Sequence, residues 1–145
     1  MFKRILLPTD GTPASSKAIV DAIAFAKSIN ASVTGLYVIP PFHTLTFHPD
    51  MLEDTHDSYV EHSASAARKY LDQISTAASE AGVACSVQSL THEHPYEAII
   101  MTAREQACDL IAMASHGRRG AVGLLLGSET QKVLTHSTIP VLVYR

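Results

Sequence analysis

Short apolar runs alternate with segments of helical periodicity along the whole chain, and this alternation limits the possible folds more than any other feature. The runs ILL, DLIAMA and VLVY are apolar without a polar residue at every second position, which is typical of parallel strands buried on both faces. Parallel strands need crossover connections, and the helical segments between the runs supply them. We therefore expect an α/β fold with a mostly parallel sheet covered by helices on both faces.

Turn and cap residues set the predicted boundaries. Thr12 is expected to cap the first helix, Gly82 to end the second, and Ser128-x-x-Gln131 has the form of a capping box. The predicted strands are Lys3–Pro8, Ala31–Pro40, Val83–Leu90, Asp109–Ala114 and Ile139–Tyr144. The predicted helices run from Pro13 to about Asn30, from about His56 to Ala81, from Pro95 to about Gln106, and onward from near Ser128.

Size and composition indicate one globular domain over residues 1–145. The chain has 46% apolar and 17% charged residues, which argues against disorder. A net charge of −3 without a basic run argues against a nucleic-acid partner, and the lack of a long apolar window argues against a membrane partner. Cys85 and Cys108 are far apart and form no CxxC pair, so we expect two reduced thiols in a cytoplasmic protein.

The segment 113–131, MASHGRRGAVGLLLGSETQ, is the strongest candidate for a binding loop. It follows the fourth predicted strand, at the sheet edge where α/β folds bind ligands. Its glycines allow close backbone approach, and the helix start at Gly127-Ser128 offers unpaired N–H groups to an anion such as phosphate. From these residues alone, a phosphate cradle and a flexible loop with an ordinary helix cap both stay open.

Other motifs are weaker. Neither GxxxxGK[ST] nor GxGxxG is present. Ser115 and His116 are adjacent, but sequence neighbours rarely meet as nucleophile and base, so we expect no catalysis from them. No zinc site is expected, because the histidines and acids near the long loop lack ligand spacing; they are His43, His48, Asp50, Asp54, His56 and Asp57.

The chain resembles the universal stress protein family over essentially its whole length. The resemblance rests on P-T-D-G after the first strand, SHGRRG after the fourth, LLLGS, and the final PVLVYR. The nucleotide-binding branch carries Gly-x2-Gly-x9-Gly-Ser/Thr. Gly117 and Gly127-Ser128 match that pattern, whereas Ala114 stands at the first glycine.

The resemblance implies a five-stranded parallel sheet of order 3-2-1-4-5 and an ATP site between strands 1 and 4, with magnesium on the phosphates and AMP or ADP as alternative ligands. It implies a homodimeric sensor or regulator in stress response, with little or no turnover. The alternatives are a non-nucleotide member acting through protein contacts, and a slow ATPase or nucleotidyl transferase. The matching site positions are Pro8, Thr9, Asp10, Val38, Met113, Ala114, His116, Gly117, Gly127, Ser128, Glu129 and Thr130.

The last predicted strand, Ile139–Tyr144, is almost wholly apolar and is placed at a sheet edge by the implied order. Exposed apolar edges invite pairing with another chain. Together with the family resemblance, this predicts a homodimer that joins through the last strand.

Overall fold

The computed structural model describes residues 1–42, 54–116 and 125–145. Five strands and four helices alternate along them. In chain order they are β1 (Arg4–Thr9), α1 (Pro13–Ser28), β2 (Ser32–Ile39), α2 (Asp54–Ala81), β3 (Cys85–Thr91), α3 (Pro95–Glu105), β4 (Leu110–Ala114), α4 (Ser128–His136) and β5 (Val141–Tyr144).

The strands form one sheet in the order β3-β2-β1-β4-β5, and neighbouring strands pair in parallel. The predicted α/β class and the order 3-2-1-4-5 are confirmed. From β1 the chain builds outward to β2 and β3, then returns to place β4 on the other side of β1. The carboxyl ends of β1 and β4 therefore flank the point where the strand order reverses.

Each face of the sheet has its own apolar core. On one face, Ile5 and Leu7 of β1 pack with α1 and α2, for example against Ile23 and Ile74. On the other face, the intervening Leu6 packs with α3 and α4. This alternation explains why the strands are apolar at consecutive positions, since both faces of the sheet are covered.

Helix ends follow the predicted turn chemistry. The side chain of Thr12 accepts a hydrogen bond from the Ser15 N–H at 3.3 Å, and Pro13 occupies the first position of α1. Gly82 ends α2 with a φ of +71°. Asp109 lies just before β4, and its carboxylate accepts hydrogen bonds from the main-chain N–H groups of Lys3 and Arg4 at 2.9 and 3.0 Å, which ties the starts of β1 and β4 together.

Each strand begins later than predicted, by one residue for β1, β2 and β4 and by two residues for β3 and β5. β3 begins at Cys85 because the Val83 N–H still bonds the Ala78 carbonyl of α2 at 2.8 Å. β5 begins at Val141 because Ser137 and Ile139 form a small turn, in which the Ser137 hydroxyl donates to the Ile139 carbonyl oxygen at 2.8 Å.

Neither cysteine takes part in a disulfide. Burial raises the pKa of both thiols, which lowers their reactivity.

None of the helices in the described ranges combines the length and apolar character that a bilayer crossing requires.

Candidate functional site

A cavity of about 680 Å³ opens at the carboxyl ends of β1 and β4. Eleven of the twelve predicted site residues line it, and the twelfth, Gly117, lies outside the described residues. The eleven are Pro8, Thr9, Asp10, Val38, Met113, Ala114, His116, Gly127, Ser128, Glu129 and Thr130. The structure thus brings segments far apart in sequence into one cavity, and the binding role of each residue stays a prediction.

On the β1 side, a compact turn holds Asp10. Its Oδ1 accepts hydrogen bonds from the Thr12 N–H at 3.0 Å and from the Thr12 and Ser15 hydroxyls at 2.7 Å each. These three bonds fix the carboxylate at the start of α1. Asp10 therefore brings a negative charge in a fixed orientation to the cavity wall.

On the β4 side, α4 begins at the cavity. Its N-cap is Gly127, whose N–H donates to the Ser115 carbonyl at 2.7 Å. The first N–H groups of a helix have no acceptor within the helix. Ser128, Glu129 and Thr130 line the cavity, so the positive end of the helix dipole lies at the cavity wall, an arrangement that favours an anion.

The predicted capping box at the start of α4 is wrong. Gly127 is the N-cap, Ser128 is the first helical residue, and no side chain caps the helix. Gln131 instead donates its side-chain amide to the Leu126 carbonyl at 3.1 Å. Gly127 has a φ of −59° and a ψ of 150°, which any residue adopts, so its contribution is its small size.

Two side chains at the start of α4 are already engaged by the protein. The Thr130 hydroxyl donates to the Ala114 carbonyl at 3.0 Å. The Glu129 carboxylate accepts from the Tyr96 N–H at 3.0 Å and from the Lys132 ammonium at 3.0 Å. These contacts position α4 against β4 and α3.

Ala114, at the position of the first motif glycine, fits its backbone without strain. Among the described residues other than glycine, positive φ values occur at Asn30 and Ala107 and not at Ala114. Ala114 is the last residue of β4 and is 7% exposed. A glycine's conformational freedom is not needed there.

The described lining residues include two carboxylates, one of which, that of Glu129, is paired with Lys132. Asp10 and Glu129 line the cavity, and none of its lining residues in the described part of the chain is a lysine or arginine. A polyanion near Asp10 would be favoured by a cation that offsets this carboxylate.

Ser115 and His116 do meet, contrary to expectation. The Ser115 hydroxyl lies 2.7 Å from Nδ1 of His116. Ser115 is only 2% exposed, and it lines a second, smaller cavity rather than this one. The pair therefore has hydrogen-bonding geometry, but the hydroxyl does not face the large cavity.

Sequence reasoning missed part of the cavity lining that comes from β2 and α3 and the residue after β2. Tyr37 lies near the end of β2 and Pro40 directly after it, and Pro95 and Ile99 lie in the first turns of α3. The Tyr59 hydroxyl of α2 donates to the Pro40 carbonyl and fixes this end of the wall. The remaining lining residues that were not predicted are Ser15, Leu125, Leu126 and Gln131.

Histidine clusters contribute no metal site in the described ranges, where no three His, Cys, Asp or Glu side chains gather around one point. His43, His48 and Asp50 lie outside the described residues, as does the side chain of Asp54.

His94 stacks beside Tyr96, which in turn stacks on His136 with ring centroids 5.3 Å apart. This row lies outside the lining of the large cavity.

Comparison with known proteins decides the family. The model of the universal stress protein family matches residues 1–145. The chain belongs to the universal stress protein family. Universal stress protein MJ0531 of Methanocaldococcus jannaschii is 31% identical over 147 residues, which cover 100% of this chain and 83% of the relative.

Solved structures of universal stress proteins share the fold. The structure of MJ0577, also from M. jannaschii, has a TM-score of 0.82 and 27% identity, with 99% of this chain and 95% of that chain covered. A universal stress protein solved in complex with cAMP has a TM-score of 0.64 and 20% identity, with 99% and 97% covered. At that identity the likeness establishes the fold.

Proposed function

We propose that this universal stress protein binds an adenine nucleotide in the large cavity, with ATP as the expected ligand and AMP or ADP as the alternatives. The observation that carries the proposal is that the start of α4 and apolar residues from the β2 end and α3 line one cavity. Phosphates suit the N–H groups at the start of α4, and a flat base suits apolar lining residues such as Pro40, Pro95 and Ile99. The cAMP complex of a universal stress protein gives this fold a precedent for an adenine nucleotide.

Magnesium would accompany the phosphates. The cavity wall carries Asp10 and Glu129 without a lysine or arginine among its described lining residues. Magnesium prefers oxygen ligands and usually binds through one or two carboxylates together with substrate phosphates. Asp10 and the Ser128 hydroxyl are the oxygen donors on this wall that suit it. The ion would offset the repulsion between the carboxylates and the nucleotide.

We expect sensing or regulation rather than turnover. Oδ1 of Asp10 already accepts three hydrogen bonds within its turn, so this oxygen serves the turn rather than a water molecule. Ser115 is buried away from the cavity wall. A universal stress protein with this site would report nucleotide occupancy to a partner protein.

Mass spectrometry of small molecules released from the purified protein tests the proposal. The expected result is an adenine nucleotide at up to one molecule per chain. Absence of nucleotide both in the released fraction and after incubation with ATP and magnesium would instead favour a universal stress protein that acts through protein contacts alone. Multiple-turnover hydrolysis of ATP well above background would instead favour a slow ATPase.

We also propose that the protein is a homodimer joined through β5. This strand lies at one edge of the sheet, and its four residues are all half-buried. Leu142 and Tyr144 pack against the α1–α2 side of the core and Val141 against the α3–α4 side. Two antiparallel copies of β5 related by a two-fold axis would pair both open edges.

Light scattering with matched edge variants tests the dimer. Val143→Lys is preferable to a change at Leu142, because Leu142 packs against the core. Val87→Lys on the opposite edge strand, β3, is the control, since Val87 is 39% exposed. We expect a dimeric parent, a dimeric Val87→Lys and a monomeric Val143→Lys. A monomeric parent at tens of micromolar, or a dimeric Val143→Lys, would remove β5 from the interface.

A further inference from the structure

Three helices begin at the large cavity and contribute first-turn residues to its lining. They are α1 with Ser15, α3 with Pro95 and α4 with Ser128. The first N–H groups of a helix have no acceptor within it, and they lie at the positive end of the helix dipole. A nucleotide phosphate therefore has three candidate places, and the orientation of the nucleotide depends on which of them the protein leaves open.

The start of α1 is closed by its own side chains. The Thr12 hydroxyl oxygen accepts a hydrogen bond from the Ser15 N–H at 3.3 Å, and the Asp10 carboxylate accepts one from the Thr12 N–H at 3.0 Å. The negative charge of Asp10 disfavours a second anion on the same N–H groups. The start of α4 differs, because its N-cap is Gly127 and no side chain caps it.

The first turn of α3 has a single N–H group without an acceptor in the helix. The N-cap His94 makes no side-chain cap hydrogen bond, and Pro95 at the first position has no N–H. The N–H groups of the third and fourth helical residues both donate to the His94 carbonyl, at 3.1 and 3.2 Å. The Tyr96 N–H is left, and it donates to Oε2 of Glu129 at 3.0 Å. A carboxylate from α4 therefore caps α3.

The Glu129 carboxylate is held at α3 by the groups that a phosphate would use. Its Oε2 accepts from the helix N–H, and its Oε1 accepts from the Lys132 ammonium at 3.0 Å. The same ammonium lies 5.5 Å from the centre of the Tyr96 ring, which places it beside the start of α3. A helix N–H together with an ammonium is a favourable pair of donors for an anion. The Glu129 side chain is 35% exposed, so solvent reaches it.

We propose that Glu129 is a specificity-determining residue of the nucleotide site and acts as a built-in anion. Its carboxylate closes the start of α3, the Asp10 turn closes the start of α1, and the start of α4 is the one of the three without a side-chain cap. A nucleotide then binds in one orientation, with its phosphates at α4 and its base toward Pro95 and Ile99. This inference rests on the proposed nucleotide function, because it concerns how the nucleotide lies in the large cavity.

NMR of backbone amides in the isotope-labelled full chain tests the role of Glu129, with inorganic phosphate as the probe at constant ionic strength. Inorganic phosphate is used because a base bound near Pro95 would itself shift the Tyr96 signal. In the parent we expect no saturable shift of the Tyr96 amide. Glu129→Ala removes the carboxylate and leaves Lys132 in place. We expect this variant to gain a saturable shift, with an apparent phosphate affinity at Tyr96 at least about tenfold above any seen in the parent.

Glu97→Ala is the matched control. It removes the same charge from the first turn of α3, but the Glu97 carboxylate accepts from the Tyr96 hydroxyl at 2.9 Å and not from the Tyr96 N–H. The Tyr96 amide of this variant should stay unresponsive to phosphate. If Glu129→Ala folds poorly, Glu129→Ser repeats the test, since its side chain is also too short to reach α3.

Three results would overturn the proposal. The Tyr96 amide responds to phosphate as strongly in the parent as in Glu129→Ala, the two Glu129 variants gain no response, or Glu97→Ala gains the same response as they do. The Ser128 amide of the parent tests the nucleotide site separately, since it should shift saturably with ATP and magnesium. A Ser128 amide that does not shift would contradict the proposed function, and the Tyr96 signal would still decide whether Glu129 closes α3 to phosphate.

Discussion

The buried hydroxyl of Thr130 donates a 3.0 Å hydrogen bond to the main-chain oxygen of Ala114, and this bond fastens the start of α4 to the end of β4. Thr130 is 3% exposed. Because the start of α4 lines the cavity, the bond sets where that helix start lies relative to β4.

Thr130→Val should lower the free energy of unfolding by about 1–3 kcal/mol, since valine keeps the shape but leaves a buried carbonyl unpaired. Urea denaturation measures the loss. Thr135→Val is the control, because the Thr135 hydroxyl bonds the Gln131 carbonyl within the same helix at an exposed position. Equal losses in the two variants would show that the buried Thr130 bond stabilises the fold no more than an exposed bond within the helix.

Gly11 should be far less replaceable than Gly82, although both have positive φ, +78° and +71°. A Cβ at Gly11 would overlap the ring of Tyr70, whereas a Cβ at Gly82 would meet no atom within 4 Å. Gly82→Ala then carries the backbone cost alone, about 1–2 kcal/mol, and Gly11→Ala adds a clash of about 1–3 kcal/mol. Thermal unfolding of the two variants measures which one loses more stability. A melting temperature lower for Gly82→Ala than for Gly11→Ala would contradict the prediction.

Asp109→Asn should destabilise the protein in a pH-dependent way. Burial by itself would raise the pKa of Asp109, but the hydrogen bonds from the Arg4 and Lys3 N–H groups lower it below its ordinary value of 3.8. A carboxyl whose pKa is lower in the folded state stabilises the fold above the unfolded pKa and loses that effect as pH falls through the folded pKa.

Denaturation at several pH values measures this dependence. The stability gap between the parent and Asp109→Asn should be full at neutral pH and shrink as pH falls below 3.8. Asp72→Asn, at an exposed position on α2, is the control. A gap that stays constant across this range would show that the charge of Asp109 does not stabilise the fold.

The sequence predicted the sheet and the location of the cavity for a physical reason. Apolar strands joined through helices leave little choice of fold class, and residues after parallel strands converge at one sheet edge. Asp10, after β1, and Ala114, at the end of β4, therefore lie on one cavity although they are far apart in sequence. The family resemblance supplied the strand order.

What sequence reasoning missed depends on packing between elements. Tyr37, Pro95 and Ile99 line the cavity only because β2 and α3 flank it in space. The bond between Ser115 and His116 depends on side-chain rotamers, which sequence adjacency does not set. The start of β5 depends on a turn made by the Ser137 hydroxyl. Because this local hydrogen bond holds Ile139 in the turn, the strand begins later than the apolar pattern predicts.

Calorimetric titration with ATP and magnesium tests the nucleotide site most directly, using the parent and Gly127→Val. Valine tolerates the backbone of Gly127, with φ −59° and ψ 150°, so the fold should survive while the branched side chain obstructs the start of α4. We predict one site per chain, a dissociation constant on the order of micromolar for the parent, and at least about tenfold weaker binding by a variant with an unchanged melting temperature. No heat of binding in the parent, or equally tight binding by Gly127→Val, would contradict a nucleotide site at the start of α4.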